Sequence, residues 1–204
     1  MKELFRLALV LTLITAGAGL VLSMAEQLTR EPIAEQRRQE TLRALRTVLP
    51  QFDNQPDQDS LTLEVGYDRR GNPLERTVYR GRFEGEFSGA AFVMIAPDGY
   101  SGNIEVMVGI TPAGAVSGIA ILHHAETPGL GDKIEDDWFR GQFTGQTRDS
   151  VRWAVKKDGG DFDQLTGATI SARAVVGAVL QGVEFFRAQR DVILAPADRQ
   201  EGGA

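Results

Sequence analysis

Cysteine is absent from the 204-residue chain, and the two histidines, His123 and His124, are adjacent. Without thiols the protein has no disulfide, no thiolate zinc site, no cysteine-ligated iron–sulfur cluster and no cysteine nucleophile. Neighbouring residues of a strand point to opposite faces, so the two histidines cannot chelate one metal together, and no metal site is expected. We predict that one is exposed and that the other forms a hydrogen bond within the fold.

An excess of positive charge is also missing. The 22 Lys and Arg residues are outnumbered by 28 Asp and Glu residues, which gives a net charge of −6. Binding to a nucleic-acid backbone requires a basic surface, so we expect no nucleic-acid partner. The Rossmann glycine fingerprint, the Gly-Lys-Ser/Thr phosphate loop and the Gly-x-Ser-x-Gly nucleophile elbow are absent too. The sequence therefore predicts neither a common nucleotide-binding loop nor an α/β-hydrolase site.

A long uncharged run is present near the N-terminus. Residues 7–25 (LALVLTLITAGAGLVLSMA) contain no charged side chain. As a helix they would extend about 28 Å, close to the hydrocarbon thickness of a bilayer. This length predicts a transmembrane anchor, preceded by a short cytoplasmic segment at 1–6. A cleavable signal peptide stays open as an alternative, because Ser23 and Ala25 are small residues at suitable cleavage positions.

Beyond the anchor, the pattern predicts a charged helix and then a mixed domain. Apolar residues recur at helical spacing from Glu26 to Leu49, and Pro32 is expected to kink or restart this helix. The polar residues 50–60 predict a loop. Apolar runs between turn-forming residues predict strands at Leu61–Tyr67, Arg76–Arg80, Ala90–Ala96, Ile104–Ile110, Ala115–Leu122 and Val151–Lys156. Further helices are predicted at Asp132–Phe143 and Ala172–Gln189. Strands followed by helices are typical of an α+β fold.

Hydroxyl side chains cluster directly before the last predicted helix, at Thr166, Thr169 and Ser171. A helix N-terminus exposes unpaired backbone N–H groups and a positive dipole end, which together favour a phosphate. The small residues Gly167 and Ala168 allow a ligand to approach the backbone closely. Simple N-capping by Thr169 or Ser171, without any ligand, explains the same cluster. The residues themselves leave both interpretations open.

A second glycine-containing stretch, His123 to Asp132 (HHAETPGLGD), connects the last strand of the predicted sheet to a helix. Loops of this kind can direct backbone N–H groups toward flat or anionic ligands. An ordinary strand–helix connection is the alternative. The acidic residues nearby are expected to be solvated, except Asp163, which precedes the hydroxyl cluster by three residues.

Together these stretches resemble a known family. Asp163-x-x-Thr166-Gly167-Ala168-Thr169 is similar to the D-x-x-[ST]-G-A-[ST] acceptor motif of proteins that carry flavin through a phosphodiester bond. Residues 126–135 (ETPGLGDKIE) resemble the loop shared by RnfG and NqrC, the flavin subunits of two related ion-translocating respiratory complexes. The Asp-Lys-Ile-Glu continuation, the short chain and the single anchor favour the RnfG (RsxG) family over NqrC.

The resemblance implies a covalent FMN cofactor whose phosphate is esterified to Thr169. An ApbE-type flavin transferase would transfer the FMN moiety from FAD and recognise Asp163 together with residues 166–169. The cofactor-binding residues that it implies are Thr166, Gly167, Ala168, Thr169, Ser171, Glu126, Thr127, Gly129, Leu130 and Gly131. The loop at 126–131 would border the isoalloxazine ring. Lys133 and Lys156 are weaker candidates for additional positive charge.

The implied organisation is a single N-terminal transmembrane helix followed by one extracytoplasmic α/β domain. Residues 26–88 would form a helical stalk and the first part of that domain, residues 89–190 the FMN-binding domain, and residues 191–204 a tail. The implied location is the bacterial inner membrane, with the domain on the periplasmic side.

The implied function is electron relay, not catalysis by side chains of this chain. The family belongs to Rnf-type complexes, which couple electron transfer between ferredoxin and NAD to ion translocation, and the implied partners are RnfA, RnfB, RnfC, RnfD and RnfE. Two alternatives remain at this point. One is an NqrC-like subunit of a sodium-translocating NADH:quinone reductase. The other is a non-redox membrane-anchored adaptor, in which Thr169 is unmodified.

Overall fold

A computed structural model of the chain describes residues 2–67 and 73–195. The chain divides into two compact units, residues 1–41 and residues 42–204. Met1 and the part of the predicted tail from residue 196 onward lie outside the described residues. The first residues of that tail, up to Leu194, belong to a helix.

The first element is helix α1 (Lys2–Val48), and most of it lies in the first unit. Residues 7–25 are exposed within it, and the helix is long and apolar enough to cross a membrane. Pro32 lies inside α1, so the helix does not restart there, and a kink at this residue stays a prediction. Proline removes one backbone hydrogen bond, but strong helix formers on both sides of it favour continuation.

The second unit contains a five-stranded antiparallel sheet in which each strand pairs with its neighbour in the chain. Its strands are β1 (Ser60–Tyr67), β2 (Pro73–Phe83), β3 (Glu86–Ala96), β4 (Ile104–Ile110) and β5 (Val116–His123). The five strands predicted before residue 123 are all confirmed, although β2 and β3 are longer than expected. They extend to a two-residue hairpin at Glu84 and Gly85, whose φ angles of 52° and 83° are typical of the turn that matches strand twist.

The two faces of the sheet are covered by different helical segments. Helix α3 (Thr169–Leu194) packs on one face, where Phe92 and Val108 contact its buried stripe. The end of α1 packs on the other face, where Leu45 and Val48 join Met107 in a second cluster. Adjacent strand residues point to opposite faces, which places neighbours such as Met107 and Val108 in separate clusters. More than half of the most apolar stretch of α3 is buried, so this helix is a core element.

Three predicted elements differ from the structure. The strand expected at Val151–Lys156 is wrong, because this segment makes only an isolated bridge between Val155 and Phe162. The helix expected at 132–143 is split into a short 3-10 helix (Gly131–Glu135) and helix α2 (Asp137–Gly141), since Asp136 is extended. The last helix begins three residues earlier and ends five residues later than expected. The residues on either side of the predicted bounds are also compatible with a helix. The hydrophobic periodicity alone therefore did not predict where this helix begins and ends.

Candidate functional site

A cavity of about 560 Å³ lies where the first turn of α3 meets the loop that follows β5. Its volume is within the usual range for small-molecule sites. The residues that line it are Tyr100, Glu126, Thr127, Leu130, Gly131, Lys157, Gly167, Ala168, Thr169, Ile170 and Ser171. The folded chain therefore brings together the two stretches that the sequence singled out, which lie about forty residues apart.

The first turn of α3 has no side-chain cap. Ala168 occupies the N-cap position and Thr169 is the first helical residue, and no side chain accepts a hydrogen bond as a cap. The capping interpretation of Thr169 and Ser171 is therefore wrong. The hydroxyl of Ser171 donates instead to Glu126. Backbone N–H groups of a first helical turn have no acceptor within the helix, so they remain available to a ligand in the cavity.

Two buried residues fix the turn before α3 in the core, and the residues between them are exposed. Leu165 and Ala168 are buried, and the Ala168 N–H donates to the Leu165 carbonyl oxygen at 3.1 Å. Gly167 has a φ of 82°, a left-handed conformation that favours glycine. Thr166 is exposed and does not line the cavity, whereas Thr169 is half-buried in its wall. Of the two threonines, only Thr169 offers its side chain to the cavity.

Asp163 is exposed on the outer surface of the same segment. Its carboxylate pairs with Lys156 Nζ at 2.8 Å. Gln142 holds its backbone, accepting from the Asp163 N–H at 2.6 Å and donating to its carbonyl oxygen at 3.3 Å. Lys156 is therefore engaged outside the cavity, and Lys133 is absent from the lining. The lysine in the cavity wall is Lys157, which the sequence analysis missed.

The loop after β5 uses its own amides to form a compact turn. The Thr127 carbonyl oxygen accepts from the N–H groups of Leu130 at 3.2 Å and Gly131 at 3.0 Å. The Gly129 N–H donates to Asp132 Oδ2 at 2.9 Å, and Gly129 does not line the cavity. These three amides are satisfied inside the loop. The residues that this loop contributes to the cavity lining are Glu126, Thr127, Leu130 and Gly131.

Glu126 joins three segments around the cavity, although it is only 5% exposed. Its Oε1 accepts from the backbone N–H of Ser101 at 3.0 Å, and its Oε2 accepts from Ser171 Oγ. Glycines make room for this carboxylate on both sides. A Cβ at Gly99 would lie 2.9 Å from Oε1, and one at Gly131 would lie 2.7 Å from Oε2.

The adjacent histidines behave as predicted. His123 is exposed, whereas His124 is half-buried. His124 Nδ1 accepts from the Glu126 backbone N–H at 3.1 Å, and its Nε2 is 2.9 Å from Glu135 Oε1. Because Nδ1 is an acceptor, the ring proton lies on Nε2 and is donated to Glu135. His124 thus supports the backbone of the cavity loop.

Ion pairs stabilise the segment that carries Lys157. Arg173 hydrogen-bonds to Asp158 at 2.7 Å, which holds the pKa of the Asp158 carboxyl below its usual value and raises the pKa of Arg173. Hydrogen bonds from the backbone and then the side chain of Arg152 lower the pKa of Asp161 in the same way. Both carboxylates therefore remain ionised at neutral pH and tie this segment to its neighbours.

Substitution of Gly131 by alanine tests the close packing behind the cavity. The new Cβ would lie 2.7 Å from Glu126 Oε2 and 3.0 Å from Ser171 Oγ, so both side chains must move. We expect a loss of about 2 kcal/mol in the free energy of unfolding, which corresponds to a fall in Tm of roughly 4–8 °C. Thermal unfolding of the full chain in detergent measures this change.

The matched control is Gly141→Ala, because a Cβ at Gly141 meets no atom within 4 Å. Its Tm should equal or exceed that of the wild type, since alanine is the better helix former. Equal Tm values for the two variants would contradict the packing described here.

The region around the cavity matches a known protein family. An FMN-binding domain family matches residues 99–184, a range that contains the whole cavity lining. A protein of Aliivibrio fischeri, named as the G component of the ion-translocating oxidoreductase complex, is 40% identical over 92% of each chain. A protein of Pseudomonas aeruginosa with the same name is 41% identical over 97% of this chain and 95% of that one.

Among solved structures, NqrC of Shewanella oneidensis has the same fold, with a TM-score of 0.52 and 20% identity over 72% of this chain and 70% of that one. The sequence relatives cover nearly the full length at about 40% identity. The chain therefore belongs to the RnfG family, the G components of ion-translocating oxidoreductase complexes, with its FMN-binding domain at residues 99–184.

Proposed function

We propose that this chain is the flavin-carrying subunit of a membrane-bound Rnf-type complex that couples electron transfer between ferredoxin and NAD to ion translocation. The observation that carries the proposal is the cavity at the start of α3, which lies wholly inside the FMN-binding domain. Relatives that share one complex name over nearly the whole chain support the assignment to this complex.

The residues at one end of the cavity fit the phosphate of FMN. The first turn of α3 has no side-chain cap, so its N–H groups and the helix dipole are directed at an anion. Lys157 in the lining adds a positive charge. Gly167 has no side chain to obstruct the approach.

Other residues fit the ring system. Leu130, Ile170 and Tyr100 line the cavity and are 45%, 44% and 68% exposed, a high exposure for side chains of this size. A flat aromatic ligand would cover these surfaces and withdraw them from water. Thr127 contributes polar side-chain atoms to the same lining. When bound, FMN supplies electron-transfer chemistry that no side chain of this cysteine-free chain provides.

We further propose that the cofactor is attached covalently at Thr169. A new bond would form between the Thr169 hydroxyl oxygen and the FMN phosphorus of FAD, with AMP as the leaving group and the hydroxyl proton released to solvent. The exposure of Asp163, Thr166 and Gly167 supports recognition of this segment by a separate ApbE-type flavin transferase. Because Thr169 lies in the wall of the cavity, the attached cofactor could remain there.

The proposed location follows from α1. Residues 7–25 would form a single-pass anchor in the bacterial inner membrane, with residues 26–204 on the periplasmic side. The N-terminal helix is long and apolar enough for this role. The proposed partners are RnfA, RnfB, RnfC, RnfD and RnfE.

The experiment that tests this function is the intact mass of the full chain, purified in detergent from hosts with and without an ApbE-type flavin transferase. We expect a gain equal to FMN minus one water only in the host that contains the transferase, together with flavin fluorescence in the denatured band. An unmodified mass in both hosts would contradict the covalent relay and favour the adaptor interpretation.

A further inference from the structure

The cavity contains a buried acidic group that the proposed binding of FMN does not use. Glu126 lines the cavity but is 5% exposed, and its hydroxyl partner Ser171 is 1% exposed. The two residues are 45 positions apart in the chain. Gly99 and Gly131 leave space for the carboxylate, and a methyl group at either position would collide with it.

Hydrogen bonds hold the carboxylate group of Glu126 at both oxygens. Both oxygens act as acceptors, one for the Ser101 N–H and the other for the Ser171 hydroxyl. The first turn of α3, which contains Ser171, brings the positive end of a helix dipole near this carboxylate. Among the described residues no Lys, Arg or His side chain lies within ion-pair distance of Glu126, and Lys157 lines the same cavity without pairing with it. The hydrogen-bond partners of this carboxylate are therefore dipolar groups and not cations.

A carboxylate charge acts strongly on a neighbouring cofactor. Coulombic interactions are larger in a water-poor pocket than in bulk solvent, and salt screens buried charges poorly. Reduction adds negative charge to a flavin unless a proton is taken up at the same time. A fixed carboxylate in the cavity wall disfavours this added charge. The carboxylate therefore makes reduction of the flavin less favourable.

We propose that the buried carboxylate of Glu126, held by Ser171 and Ser101, lowers the reduction potential of the FMN in this cavity. The inference rests on the proposed function, since it requires FMN to occupy the site. It assigns Glu126 an electrostatic role, distinct from covering the ring. A low potential suits a relay that receives electrons from a strongly reducing donor.

The test is a spectroelectrochemical titration of flavinylated full-length protein in detergent, comparing wild type with Glu126→Gln. The amide has nearly the same shape, can still accept from Ser101 and carries no charge. We expect the potential to become more positive, with at least a tenfold change in the reduction equilibrium constant, which is about 59 mV for one electron. Intact mass gives the fraction of each preparation that carries FMN, and the potentials are compared for that fraction.

The charge control is Glu184→Gln, which removes the same charge from α3 about 20 Å along the helix from Ser171. Glu184 is half-exposed and pairs with Arg148, so its removal should leave the potential unchanged. Ser171→Ala removes the hydrogen bond from Ser171 to Glu126 but keeps the carboxylate. It therefore separates the effect of the charge on the potential from the effect of the local packing. We expect its potential to stay at or below that of the wild type.

The possible outcomes separate the two proposals. An unchanged potential in flavinylated Glu126→Gln overturns the electrostatic role and leaves FMN binding intact. Equal upward shifts in Glu126→Gln and Ser171→Ala overturn it as well, because shape and not charge would be responsible. If Glu126→Gln does not fold, Ser171→Ala provides the test. A reduction potential above the wild-type value in that variant overturns the electrostatic role of Glu126. Failure of the wild type to carry FMN contradicts the proposed function itself.

Discussion

Replacement of Thr169 by alanine is expected to abolish covalent attachment of FMN, leaving less than about a few per cent of the protein with the added mass. The hydroxyl that we propose as the acceptor is the one that lies in the cavity wall at the start of α3. Because Thr169 makes no capping bond, the substitution should change the free energy of unfolding by no more than about 0.5 kcal/mol. Loss of the cofactor would then reflect lost chemistry in a folded protein.

Two further variants make the attachment experiment decisive. Thr169→Ser keeps a hydroxyl at the same position and should be flavinylated. Thr166→Ala removes the exposed hydroxyl outside the cavity and should retain its modification at Thr169, although more slowly if the transferase reads this residue. Full-mass protein in Thr169→Ala, with a modified peptide that contains Thr166, would transfer the attachment site to Thr166.

The largest expected effect on stability is that of Gly109→Ala in β4. A Cβ at this position would lie 2.1 Å from the Val48 carbonyl oxygen and 2.7 Å from Ser117 Oγ. Backbone atoms cannot move aside as a flexible side chain can. In addition, Ser117 Oγ donates to the Val48 carbonyl oxygen at 2.5 Å, a bond that the added methyl group would disrupt. We expect a loss of about 3 kcal/mol in the free energy of unfolding and a fall in Tm of roughly 6–12 °C.

Thermal unfolding of the full chain in detergent, followed by circular dichroism, measures this loss. Gly177→Ala in α3 is the control, since a Cβ there meets no atom within 4 Å and alanine favours a helix. Its Tm should be equal to or above that of the wild type. A Gly109→Ala protein as stable as this control would show that the end of α1 does not pack on β4 as described.

The two glycine predictions concern different parts of the domain. Gly109 lets the last turn of α1 approach one face of the sheet, whereas Gly131 lets Glu126 and Ser171 meet behind the cavity. The substitution Gly109→Ala should therefore destabilise the domain as a whole. The loss of stability in Gly131→Ala should be smaller. This variant should also disturb FMN attachment, because Ser171 lies only two residues after Thr169.

Local patterns predicted much of the sheet and the acceptor motif. Runs such as Ala90–Ala96 and Ile104–Ile110 are nearly continuous apolar segments between turn formers, and such strands are recognisable because their signal is contained in a few neighbouring residues. Residues 163–169 were singled out by their resemblance to a known acceptor motif, and attachment at Thr169 stays a prediction. The strand expected at Val151–Lys156 is wrong, since this segment forms only an isolated bridge and its Trp153 packs against Phe143 and Phe162.

Contacts between distant residues established the remainder of the site. The residues from Thr166 to Ser171 left capping and ligand binding open, and the structure rules out a side-chain cap on α3, since the Ser171 hydroxyl donates to Glu126, 45 positions away. Tyr100 and Lys157 carry no motif and reach the cavity only because the β3–β4 turn and the segment after Val155 fold beside it. Sequence patterns thus pointed to the residues that we propose for cofactor attachment, because those residues are neighbours in the chain. Folding determined their surroundings, because burial and long-range hydrogen bonds arise only when separate segments meet.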